Sequence, residues 1–246
     1  MPWSSSGIDW TAPPAVGDDV AFAPPAIEQF ELANRMRVLV VERHRIPLVS
    51  IVTVHGAAGS REDGARRGLA ALCADVLREA DAEALDRAGA TLDASIATDY
   101  STLAMSVVAD HVGDGIGLLA TALRKPRFDD ADLSRIRAER LAELVDREDR
   151  AHLIAARLFD AVVFGEHPYA RASDGRAASL RAITPGDLRA FWRRAYSPEA
   201  TTMIVVGDVT RASLEPLLAK AFGDWTATAA APRTRSEEHT SELQSL

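Results

Sequence analysis

Hydrophobic and polar positions change rhythm several times along the chain. Ile27–Leu32, Met36–Glu42 and Leu48–His55 are rich in Val and Ile and partly alternate, which predicts three strands joined by turns at Asn34–Arg35 and His44–Pro47. Gly56–Gly64 predicts a loop of small residues. Across 65–88 the apolar residues Leu69, Leu72, Cys73, Val76 and Leu77 recur at helical spacing, with Gly89 as a left-handed stop. Alternation returns in Leu92, Ala94 and Ile96, and again in Leu103, Met105 and Val107 beyond a Thr98–Ser101 turn, predicting two more strands.

Helical spacing resumes over Asp110–Leu123 and over about Asp130–Phe164, with a dense run of Arg and Glu in the second. Gly165–Gly175 predicts a loop. Thr184, then Pro185 and Asp187, forms an N-cap signature for a helix reaching Tyr196. Thr201–Val206 predicts a short strand, and Thr210 opens a last helix ending before Gly223. The order β-β-β-α-β-β-α-α-α-β-α implies an α+β domain whose mostly antiparallel sheet is covered by helices on one face. Prolines 13, 14, 24 and 25 mark residues 1–26 as an extended lead-in, which leaves 27–225 for the domain.

Composition narrows the function. A net charge of -8 gives no basic surface for phosphates, so nucleic acid is not an expected partner. One cysteine, Cys73, excludes an internal disulfide and a Cys-rich zinc site, and its place on the apolar side of its helix marks a small core residue. No stretch reaches the roughly 18 apolar residues of a membrane span. No secretory signal is visible at Met1–Gly17, leaving the bacterial periplasm and cytoplasm both open. Residues 226–246 are expected to form a disordered tail. Within it Arg235–Leu246, RSEEHTSELQSL, resembles an in-frame translation of a sequencing-library adaptor, and without those twelve residues the net charge is -6.

Several segments match one known family in order. Phe30–Val41 (FELANRMRVLVV) resembles the opening FxLxNGLxVxxV, with Arg35 in place of the glycine. Ala58-Gly59-Ser60-Arg61 followed by Gly68-Leu69-Ala70 resembles AGSR...GLAH, and Ala88–Ala94 resembles a G-x-x-L-N-A strand. Lys125–Phe128, Gly165–Tyr169, Ser179-Leu180, Tyr196–Val209 with its VVGDV, and Ala221–Trp225 fit as well. Together these resemble the pitrilysin/insulinase-type (M16) metallopeptidases, in their N-terminal half. The resemblance implies a LuxS/metallopeptidase-like fold, with 27–176 as the family's N-terminal region and 177–225 as the start of its C-terminal region.

Family enzymes carry H-x-x-E-H on their first helix, where histidines at i and i+4 hold zinc and the glutamate activates water. In register, Ala71 takes the place of the first histidine, Ala74 that of the glutamate and Asp75 that of the second histidine. A methyl group neither ligates zinc nor takes a proton. Arg140-Leu141-Ala142-Glu143-Leu144 resembles V-L-x-E-I, which puts Glu143 at the third-ligand position. The interval from Asp75 to Glu143 is shorter than the family's by about two helical turns, and the deficit falls at Arg78–Leu85. No catalytic residue, no metal and no resident zinc are therefore expected. Asp75 itself reads as an ordinary surface charge. His44, His55, His111, His152 and His167 form no helical pair, and His55 is the nearest thing to a substitute ligand.

The strand Ala90, Thr91, Leu92, Asp93, Ala94, Ser95 and Ile96 corresponds to one that lines the family's substrate cleft, and edge pairing with a peptide needs no metal. The resemblance thus implies a non-catalytic subunit paired with an active M16-like partner in a chamber for unfolded peptide. Two alternatives stay open: an architectural subunit without peptide binding, and a zinc peptidase using Asp75, Glu143 and an unforeseen ligand.

Overall fold

The computed structural model describes residues 23–56, 62, 64–79, 81–170 and 173–226. Most of the extended lead-in, the Ala58–Arg61 motif and residues 227–246, including the adaptor-like segment, lie outside them. Strands β1 (Glu28–Glu31), β2 (Arg37–Glu42), β3 (Leu48–His55), β4 (Thr91–Ile96), β5 (Ser101–Val108) and β6 (Thr201–Gly207) form one sheet in the order β1-β2-β6-β3-β5-β4. Only the β2–β6 pairing is parallel, so the sheet is mostly antiparallel. Ser101, placed in a turn by the sequence pattern, belongs to β5, because its side chain points into the core beside His55.

The strands alternate as their sequences demand. Val38, Val40, Val49, Ile51, Leu103, Met105, Met203 and Val205 are fully buried on one face. Their neighbours Leu39, Val52, Ala104 and Ile204 line up across the other face and stay partly exposed. Helix α1 (Leu69–Arg78) lies on the covered face against β4 and β5, beside α3 (Val112–Arg124). Helix α7 (Pro185–Ala195) packs on α1, and α8 (Arg211–Phe222) packs on α3.

Two predicted helices are each broken in two. The 65–88 segment becomes α1 and α2 (Ala82–Arg87), because the Asp81 carboxylate accepts from Ala84 N at 3.1 Å and starts a new helix. The 130–164 segment becomes α4 (Asp130–Glu148) and α5 (Ala151–Phe164), separated by the extended backbone of Arg150. A short helix that the pattern did not announce, α6 (Ala177–Ala182), follows the predicted loop. The caps at Thr184 and Thr210 form as expected, each as a capping box with the residue three places on.

The hairpin between β1 and β2 turns through Arg35, the only non-glycine at positive φ (66°) among the described residues. Asn34 holds that turn by donating to Phe222 O at 2.7 Å and Trp225 O at 3.2 Å. A left-handed arginine costs roughly 1–2 kcal/mol, and its ion pair with Glu199 is long (3.7 Å) and exposed. Arg35→Gly is expected to stabilise the fold by about 0.5–1 kcal/mol after the glycine's own entropy cost. Arg35→Val should destabilise it, and both are read from denaturant midpoints.

Candidate functional site

Helix α1 starts at Gly68, whose φ of 88° no other residue type adopts cheaply. A Cβ there would sit 2.6 Å from Leu180 Cδ2, so the helix start is pressed against α6 and Gly175. The Glu62 carboxylate closes the free end of the helix, accepting from Gly68 N at 2.9 Å and Ala70 N at 2.5 Å. Burial raises that carboxyl to about 7, with the two backbone N–H groups opposing the shift. Every residue from Leu69 to Leu77 is buried, so α1 is a core helix rather than one edging a wet cleft.

Ala71 and Ala74 are both buried and offer only methyl groups. Asp75 is not the surface charge that its sequence context suggested: it is 9% exposed and paired. Its Oδ2 accepts from Arg140 Nε at 2.9 Å and Nη2 at 2.5 Å. Arg140 lies on α4, which packs against α1, and its Nη1 stands 3.6 Å from Glu143 Oε2. One guanidinium therefore lies between the residues matched to the second and third ligands. Burial pushes the Asp75 carboxyl up and Arg140 opposes it, while Asp75 and Glu143 keep the guanidinium firmly charged.

No group of three His, Cys, Asp or Glu side chains able to hold a metal exists among the described residues. The donors at hand, one carboxylate already bound to arginine and one largely exposed, do not fit zinc, which takes three firm protein ligands or more. The motif match contained Arg140 but gave it no role, although it replaces the valine of V-L-x-E-I and sits three residues before Glu143 on one helix face. Glu62, a single acid in a small-residue loop, gave no signal of its role.

His55 is no substitute ligand. It is fully buried, with Nδ1 3.0 Å from Thr201 Oγ1, Nε2 2.9 Å from Thr53 Oγ1, and the Tyr196 ring 4.8 Å away. Burial lowers its pKa to about 3, so it stays neutral inside the core. Cys73 is buried with its thiol pushed up, as a core residue should be. His44 pairs with Asp208 and Glu42, His111 with Asp114, His167 packs on Tyr169, and His152 lies in α5.

β4 runs along one edge of the sheet, its inner side paired to β5 from Thr91↔Ser106 to Ile96↔Ser101. Its outer side carries no strand among the described residues. Leu92 faces the core while Thr91, Asp93 and Ser95 are exposed. Ala90 lies just before the strand, its N–H donating to Leu85 O. The edge and the altered helix are neighbours, since α1 packs directly on β4.

Comparison with known proteins finds likenesses to the same family. A family model described as the peptidase M16 inactive domain matches residues 182–245, running past the described residues through the polar tail. An uncharacterized zinc protease of Mycobacterium tuberculosis is 29% identical over 142 residues, 58% of this chain and 32% of that protein. A Helicobacter pylori protein named a non-peptidase homolog is 24% identical over 186 residues, 72% of this chain and 43% of the relative. Among solved structures, the peptidase M16 inactive domain from Pseudomonas fluorescens superposes with a TM-score of 0.78 at 26% identity, over 85% of this chain and 53% of that one. The chain thus spans about 32% to 53% of the length of these relatives.

Part-buried Glu62 and fully buried His55 give opposite pH slopes. Glu62 is raised in the folded state, so its stabilising effect is full below pH 4.5 and is lost as pH rises to about 7. His55 is depressed, so its effect is full above 6.5 and is lost as pH falls toward about 3. Relative to Glu62→Gln, the native chain should lose on the order of 3 kcal/mol between pH 4.5 and 7. Relative to His55→Gln it should lose stability as pH falls below 6.5. Chemical denaturation across pH measures both differences.

Proposed function

We propose that this chain, a relative of the M16 peptidases with their fold, is a non-catalytic subunit that pairs with an active M16-type zinc peptidase and helps enclose unfolded peptide. The observation that carries this reading is the pairing of a chemically empty helix with an open strand edge. Ala71 and Ala74 supply no ligand and no base, and Asp75 is tied to Arg140. Next to them, β4 has no strand on its outer side among the described residues, an edge that suits an extended peptide. Support also comes from the inactive-domain family model and from a relative named as a non-peptidase homolog. No zinc is expected in the purified protein. No helix of the described residues is long and apolar enough to cross a membrane.

A purely architectural role is favoured by one different observation. Leu158, Phe159, Val162 and Val163 of α5 are exposed together, and α5 buries none of its residues. Such a face fits a subunit packed into a larger assembly.

Co-expression with a relative bearing an intact H-x-x-E-H is expected to give a complex that co-purifies and binds an unstructured fluorescent peptide. Asp93 and Ala94 are adjacent in β4, so their N–H groups point to opposite sides of the strand. Of Asp93→Pro and Ala94→Pro, the one that removes the outward donor should weaken peptide binding about fivefold while sparing the fold. Equal affinity in both variants would leave the architectural role. Stoichiometric zinc with chelator-sensitive cleavage by this chain alone would replace both readings with an active peptidase.

A further inference from the structure

We infer that Arg140 is an internal substitute for the metal: its guanidinium occupies the ground between the second and third ligand positions and clamps α1 to α4 with no ion bound. This rests on the placement of Ala71, Ala74, Asp75 and Glu143 used above, and goes beyond it, because loss of ligands alone would leave a hole or an unpaired acid.

The geometry has three parts. Asp75 is buried on a core helix, where a lone carboxylate is costly. Arg140 answers it with two donors from the fork of one guanidinium, Nε at 2.9 Å and Nη2 at 2.5 Å, both to Oδ2. Its remaining Nη1 turns to Glu143 at 3.6 Å, so one cation spans the α1 residue and the α4 residue that would otherwise share a metal. Arg140 and Asp75 are both 12% exposed in their side chains, so the pair is largely withdrawn from water.

Ala71 and Ala74, buried on the same helix as Asp75, carry methyl groups smaller than the residues of the family motif. Arg140 takes the position that the family pattern gives to valine. A long cationic side chain and the removal of large metal ligands are thus complementary changes: one fills the volume and supplies the charge that the other takes away. A fixed positive charge there also repels any divalent ion. The clamp therefore explains how two helices joined by a metal in active relatives stay joined without one, and why Asp75 is retained in a buried place.

The test uses the 246-residue chain. A triple variant, Ala71→His, Ala74→Glu and Asp75→His, restores the motif but keeps Arg140; a quadruple variant adds Arg140→Val. Titration with zinc alone, read by metal content and by the shift in melting temperature, should show stoichiometric binding in the quadruple variant. Binding should be at least roughly tenfold weaker in the triple one. Equal affinity in both overturns the clamp while upholding the ligand placement. Absence of zinc from both, in folded protein, overturns the placement and the clamp together.

If the motif variants do not fold, Asp75→Asn, Arg140→Gln and their combination give an independent reading. The clamp predicts that either single change lowers the denaturation midpoint and that the double variant loses no more than the worse single one. Additive losses overturn it. In the native chain, zinc and chelator should leave the melting temperature unchanged, and a rise with zinc would overturn it as well.

Discussion

The sheet depends on one long-range pairing, the insertion of β6 between β2 and β3. β6 pairs parallel with β2 and antiparallel with β3, so it joins the N-terminal hairpin to the rest of the sheet. Its inward residues Met203 and Val205 lie at the centre of the core, and Thr201 at its start holds the ring of His55. Strands 37–42 and 201–207 pair across a long separation in sequence, a contact that raises the contact order of the fold. Everything built between them, including α1 and α4, is held in a frame that the last strand completes.

Within that frame Asp75 and Arg140 form a buried ion pair between two packed helices. A buried ion pair adds little net stability over an apolar pair, but removing one member alone strands a charge at a cost of about 3–5 kcal/mol. Asp75 and Arg140 are therefore locked to each other. Zinc would bring its own requirement of deprotonated ligands and a coordination geometry. The guanidinium needs only acceptors in its plane, which Asp75 supplies.

β4 is an edge strand among the described residues, with polar residues outward, a form of protection against random edge pairing. The outer face of the sheet and the apolar side of α5 are both open. The relatives matched are longer than this chain.

The sequence by itself determined what depends on neighbours a few residues apart. The strand alternation, the capping boxes at Thr184 and Thr210, the stop at Gly89, the α+β class and the absence of imidazole from Ala71 were all legible, because period and cap chemistry are local. The family resemblance added an expected register in which Ala71, Ala74, Asp75 and Glu143 stand at the ligand and base positions. Only the tertiary structure decided that Asp75 is buried and bound to a residue 65 positions away, and that His55 is a neutral core side chain held by Thr53 and Thr201. It also decided where the long helices break, since Asp81 and Arg150 act as helix starts against a helical pattern that runs straight through them. A charged residue's letter carries no record of its desolvation or of its partner, because both are set by segments that folding alone brings together.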